Sequence, residues 1–174
     1  RGLGDVYKRQ LLTQGYRMER ITVWLDPAAS EKGHQTIQGL YAIGSGGLFG
    51  KGLGQSMQKL GFLPEANNDM IFSVICEELG LFGALCVLAL FFALIWRFMV
   101  IAVNAPDLYG SMIVVGVIAH IGIQVFINIA VATNTIPNTG IPLPFISYGG
   151  SSLVFMLLEM GLVLSVSRYI NVKK

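Results

Sequence analysis

Residues 108–158 run for fifty-one positions without a single Lys, Arg, Asp or Glu. A helix needs roughly 20 apolar residues to cross the hydrocarbon core of a bilayer, so this run has room for two spans and a connection. A third uncharged run, residues 79–96, extends back through residues 70–76 if Glu77 and Glu78 are tolerated. Soluble domains carry about 25% charged residues. Here the figure is 13%, with 53% hydrophobic residues and a mean hydropathy of +0.63. The chain therefore reads as an all-α, polytopic membrane protein. Its net charge of +2 gives no ground for a nucleic-acid partner. Cys76 and Cys86 fall ten residues apart within one expected helix, where they cannot pair and read as apolar filler.

Punctuation sets the expected boundaries. Residues 70–100 form the first span and 101–107 a short loop, where Pro106 disfavours helix in the residue before it. Residues 108–133 form the second span. Residues 134–150 carry three prolines and three glycines, which no regular helix would survive. Residues 151–169 form the third span and 170–174 a tail. Arg97, Arg168, Lys173 and Lys174 lie at the ends of the spans opposite residues 134–148, which contain no Lys or Arg. The positive-inside rule then puts the tail in the cytoplasm and residues 134–150 outside. By alternation, residues 17–69 are an extracytoplasmic loop with short amphipathic segments. Residues 1–16 read as the end of a preceding span or a non-native junction, and the first ten are set aside from the fold.

Within the outer loop, "GSGGLFGKGLG" (residues 44–54) has glycine at six of eleven positions. A Walker A loop would need Gly six residues before the Lys and Ser or Thr after it. Ser45 and Gly52 stand there instead. Two readings remain: a flexible or closely packed loop, and a backbone-lined groove for a lipid-linked pyrophosphate with Lys51 or Lys59 as counter-charge.

"LPEANND" (residues 63–69) then places Glu65 and Asp69 at the mouth of the first span. At about 100° per residue, Ser73, Cys76, Gly80 and Gly83 share the face of Asp69, with Glu77 at its margin and Glu78 opposite. Asp69 is either a helix N-cap or a working carboxylate. Glu77 and Glu78 lie more than two turns inside, too deep to cap, and intramembrane carboxylates point to function. In the second span, His120, Gln124 and Asn128 recur every four residues and share a face. They serve either as inter-helix hydrogen-bonding glue or as a proton or ion relay with His120 titrating. Glu159 stands alone in the third span and needs a polar partner elsewhere in the bundle.

"NTIPNTGIPLPFISYGGSS" (residues 134–152) resembles the signature of the SEDS family, the shape, elongation, division and sporulation proteins FtsW, RodA and SpoVE. Pro137, Thr139, Gly140, Pro142, Pro144 and the stretch Ser147, Tyr148, Gly149, Gly150, Ser151 carry the match. "GLYAIGSGGLFGKGLGQSMQKLGFLPEANNDMIF" and "EELG" resemble the family's large outer loop and the span after it. "YRMERITVWLDP" and "QKLGFLPE" are closer to the division and sporulation branch than to the elongation branch. The resemblance covers residues 11–170.

It implies a bundle of about ten spans in the bacterial plasma membrane, of which this chain supplies a carboxy-terminal fragment. It further implies polymerisation of peptidoglycan glycan strands from lipid II at the extracytoplasmic face. The implied partners are a class B penicillin-binding protein, other division proteins and membrane lipid. The family's catalytic carboxylate falls on Asp69, and Glu65 matches the glutamate of the same motif. Glu77 and Glu78 match a glutamate pair before Leu-Gly. Ser147, Tyr148, Gly149, Gly150 and Ser151 become substrate-binding candidates beside Glu65, Lys51 and Lys59. The departing pyrophosphate needs positive charge, from Lys51, Lys59 or Arg20, or from Mg²⁺ or Mn²⁺ held by Asp69 and Glu65. Asn67 and Asn68 replace the His-Thr of many relatives. Two rival classes stand beside the polymerase: a lipid II flippase worked by Glu77, Glu159 and the His120–Gln124–Asn128 face, and a scaffold docking a penicillin-binding protein.

Overall fold

The computed structural model describes residues 15–27, 33–56 and 69–170. They form five helices: α1 (Gly15–Leu25), α2 (His34–Gly46), α3 (Ile71–Val103), α4 (Leu108–Ala132) and α5 (Gly150–Arg168). No strand occurs among the described residues. The last three helices are long and apolar enough to cross a membrane.

Their ends follow from local chemistry. Asn104 closes α3, its side-chain amide donating to the Val100 carbonyl at 2.7 Å. Asp107 caps α4, accepting from the Gly110 N–H at 2.9 Å; this satisfies one of the donors a helix start leaves open. Ser111 then ties the hairpin, its hydroxyl donating to the Ala102 carbonyl at 2.8 Å. Arg168 in the last turn of α5 complements the negative end of the helix dipole. The three spans pack around Ala84, Phe91, Phe98, Val114, Ile121, Met156 and Val163, all buried. Large apolar side chains such as Phe92, Phe126 and Phe155 face outward, as lipid-facing positions do.

At 33 residues, a straight α3 would run about 50 Å, against roughly 30 Å of hydrocarbon. It is not straight. Gly80 has φ 68° and ψ −167°, a conformation that only glycine adopts readily, and it splits α3 into residues 71–79 and 81–103. A Cβ on Gly122 of α4 would touch Ile95 at 3.8 Å. Continuing antiparallel, Asn128 would then face residue 89. It instead donates to the Asp69 carbonyl at 2.9 Å, twenty residues earlier, which is about 30 Å along an unbroken helix. The first segment of α3 is therefore turned back at Gly80 onto α4.

The glycine-rich loop makes that turn possible. An intact helix would bond Leu81 N–H to the Glu77 carbonyl and Phe82 N–H to the Glu78 carbonyl. Those four groups bond to the loop instead. The N–H groups of Lys51 and Gly52 donate to the carbonyls of Glu77 and Glu78 at 2.9 and 3.0 Å. Those of Leu81 and Phe82 donate to Gly47 and Leu48 at 2.9 and 3.2 Å. A helix break near a membrane survives only where protein re-satisfies the freed backbone. The approach is close. A Cβ on Gly50 would come within 2.1 Å of the Glu78 carbonyl oxygen, and one on Gly80 within 2.4 Å of the Gly50 nitrogen. Of the two readings of the loop, the geometry is that of the closely packed one. Helix α2 leads into it along the first segment of α3, with Gly39 against Ser73 and Met70.

Candidate functional site

Asp69, Asn128 and the loop between α4 and α5 meet at one end of the bundle. Asn128 is fully buried. Its amide nitrogen donates both to the Asp69 carbonyl and, at 2.8 Å, to the Ile141 carbonyl. One side chain thus ties the start of α3 to the Pro/Gly loop. Asp69 is 9% exposed as a residue, and its carboxylate lies against Gly140, whose Cβ would sit 4.0 Å from Oδ2. Met70 takes the N-cap position of α3 and makes no side-chain cap bond, so Asp69 stands one residue before the cap.

The Pro/Gly loop is held from several sides. Arg20 on α1 donates to the Asn138 carbonyl at 2.9 Å, and Trp24 donates its indole N–H to the Asn134 carbonyl at 2.9 Å. Asn138 in turn accepts from the Gly140 N–H at 2.9 Å, closing an Asx turn beside Asp69. Further along, the Ser147 hydroxyl accepts from the Leu143 N–H at 2.7 Å, and Leu143 and Pro144 are buried. Ser147, Tyr148, Gly149 and Gly150, with Ile71, Phe145, Ile146 and Leu153, line an open groove of about 430 Å³. Tyr148 is strongly exposed, and Ser151 is exposed in the first turn of α5.

A second polar cluster sits at the far end of the turned-back segment. Glu77 is fully buried. It pairs with Lys51 Nζ at 2.8 Å through Oε1 and accepts from the Ser56 hydroxyl through Oε2. Lys51 is thus ion-paired with Glu77, its side chain 36% exposed. Glu78 is half-buried, and its backbone carbonyl is its tie to the loop. A third cluster lies between α4 and α5, where His120 Nδ1 meets Glu159 Oε1 at 2.8 Å. Gln124 is half-buried on the same α4 face. Glu65 and Lys59 lie outside the described residues. No group of three His, Cys, Asp or Glu side chains placed to hold a metal occurs among the described residues.

The candidates thus fall into three places rather than one: Asp69 with Asn128 and the Pro/Gly loop, Lys51 with Glu77, and His120 with Glu159. Sequence reasoning missed Trp24, Asn134 and Asn138, which pin or shape the Pro/Gly loop. The aromatic-basic character of "YRMERITVW" and the Asn content of the loop were the available signals.

The family of cell cycle proteins typified by FtsW, RodA and SpoVE matches residues 5–172. Stage V sporulation protein E of Bacillus subtilis is 56% identical over 163 residues, 91% of this chain and 44% of that protein. A probable peptidoglycan glycosyltransferase FtsW of a Geobacter species is 44% identical, over 90% of this chain and 43% of that one. Among solved structures, one chain of a peptidoglycan synthase complex that coordinates polymerization and crosslinking superposes with a TM-score of 0.70. It is 30% identical, covering 95% of this chain and 45% of its own. The rod shape determining protein RodA of Thermus thermophilus superposes with a TM-score of 0.58 at 39% identity, covering 75% of this chain and 39% of its own. The chain spans less than half the length of these relatives. With its helical spans, it is a bacterial multi-pass membrane protein. Nearly every residue of it lies within the match, and the chain belongs to the FtsW/RodA/SpoVE family of cell cycle proteins.

Proposed function

We propose that this chain builds the acceptor-activating face of a peptidoglycan glycan-strand polymerase that uses lipid II in division or sporulation. The supporting observation is the placement of Asp69: a nearly buried carboxylate whose backbone is tied by Asn128 to the Pro/Gly loop. The FtsW relative, a probable peptidoglycan glycosyltransferase, supports the reaction, and the sporulation relative supports the setting.

In that reaction the 4-hydroxyl of an acceptor GlcNAc attacks C1 of a lipid-linked disaccharide. A glycosidic bond forms, and the bond to undecaprenyl pyrophosphate breaks. The hydroxyl is a weak nucleophile near neutral pH. A carboxylate positioned to take its proton contributes about 10²–10⁴-fold, and Asp69 is that base. Arg20, already bonded to the Pro/Gly loop, is the described cation best placed for the pyrophosphate. The groove along Ile71, residues 145–150 and Leu153, largely apolar, suits the region where sugar meets lipid. Magnesium is commonly held by one or two carboxylates together with substrate phosphates, a donor set that Asp69 and Glu65 can supply. A divalent cation so held would neutralise charge on the departing pyrophosphate.

The orientation follows the charge bias already described: the Asp69 end is extracytoplasmic, where lipid II presents its sugars. A class B penicillin-binding protein is the partner, in keeping with the synthase complex that this chain resembles. The test is lipid II polymerisation by the full-length protein with its cognate penicillin-binding protein, wild type against Asp69→Asn, at equal expression and complex formation. Strands from wild type and none from the variant support the assignment. Equal polymerisation by the two overturns it.

A further inference from the structure

The turned-back segment of α3 begins two residues after Asp69 and carries Glu77 near its other end, and the two ends are held by different elements. Asn128 holds the Asp69 end. The Glu77 end is not held by helix continuity, because Gly80 interrupts it; it is held by the glycine-rich loop. Three bonds converge there on one residue: Lys51 Nζ and the Ser56 hydroxyl on the two carboxylate oxygens, and the Lys51 N–H on the carbonyl. A carboxylate with no exposure, next to a cation and a hydroxyl from a single loop, fixes geometry, because moving either partner would strand a buried charge.

We propose that Lys51 and Ser56, acting through the buried carboxylate of Glu77, form a clamp that positions Asp69 for proton abstraction. This rests on the reading of Asp69 as the base. Glu77 follows Asp69 by eight residues, helical from Ile71 on, so the clamp acts through the short helical segment 71–79 pivoting at Gly80. Lys51, Ser56 and Glu77 are positioning residues. Lys51 serves by holding Glu77, and the pyrophosphate meets other charge.

The reaction is sensitive to such placement: a displacement of about 1 Å far from the chemistry can cost on the order of 100-fold in rate. The full-length protein in complex with its penicillin-binding protein should therefore be assayed on lipid II as wild type, Lys51→Met, Lys51→Arg, Lys51→Met with Glu77→Gln, and Asp69→Asn. The double variant removes both charges at similar side-chain volume, so it folds where Lys51→Met alone could fail. The expected result is a kcat lowered about 10- to 100-fold in the double variant with KM for lipid II unchanged, and recovery of most activity in Lys51→Arg. A raised KM with wild-type kcat would overturn the clamp and place Lys51 on substrate. Wild-type kinetics in the double variant would overturn it as well. Asp69→Asn separates the two failures: if it polymerises like wild type, the assignment of Asp69 falls. If it is dead while the double variant is fully active, only the clamp falls.

Discussion

Asn128 and Asp69, fifty-nine residues apart, are joined by a hydrogen bond from a fully buried amide to a backbone carbonyl. The same nitrogen holds Ile141, so a single side chain sets the spacing between the start of α3 and the Pro/Gly loop.

Replacing Asn128 by Leu should leave two carbonyls, at Asp69 and Ile141, without this donor. Each stranded buried group costs about 1–3 kcal/mol. The expected outcome is a lower thermal midpoint in detergent and a loss of polymerisation of at least about tenfold, one decade for each 1.4 kcal/mol lost from the transition state. Parallel melting and lipid II assays check it; a variant with unchanged melting and full activity would show that the tie is dispensable.

Gly80→Ala should fail to give a monodisperse protein. The added methyl would meet the Gly50 nitrogen at 2.4 Å, and the φ of 68° disfavours any Cβ. Gly44→Ala is the matched control. It lies within α2 with nothing inside 4 Å of its Cβ, and alanine favours helix by up to about 1 kcal/mol. Size-exclusion profiles and melting curves of the pair report the difference.

Glu159→Gln removes the charge that meets His120 between α4 and α5. If the pair is glue, the cost is about 1 kcal/mol or less, and polymerisation stays within about twofold. If the pair is a relay for transport, vesicle assays of lipid II translocation will collapse while the melting temperature holds.

Arg20→Ala should free the Asn138 carbonyl from its donor and remove the cation proposed for the pyrophosphate. The expected signature is a reduction of kcat/KM by about 10²-fold, the scale of one lost charge-stabilising donor. Arg20→Lys keeps charge without the planar fork and should recover part of it. Steady-state kinetics on lipid II decide.

The helical membrane architecture was legible because it rests on something a sequence displays directly: fifty-one residues without a charge, and prolines where a helix must stop. Asp69 was singled out by its place before an apolar run and by resemblance. Pairings across elements were not legible. Glu159 visibly needed a partner, but His120 is thirty-nine residues away, and nothing in a helical period names a residue on another helix. Lys51 was weighed as a counter-charge for pyrophosphate because a cation in a glycine-rich loop suits that role; its pairing with Glu77 depends on a fold-back at Gly80. A lone glycine in an apolar helix ordinarily reads as tolerated. Here it marks the point where four backbone groups of the helix bond to a loop instead of to one another.

The contact between Gly50 and Gly80 limits how this protein can change over time. Each occupies the space where the other's side chain would go, so neither can be replaced while its counterpart's backbone stays where it is. A lengthened loop or a straightened helix would have to arrive together with its match. The two stretches of chain, thirty residues apart, can drift only as a unit.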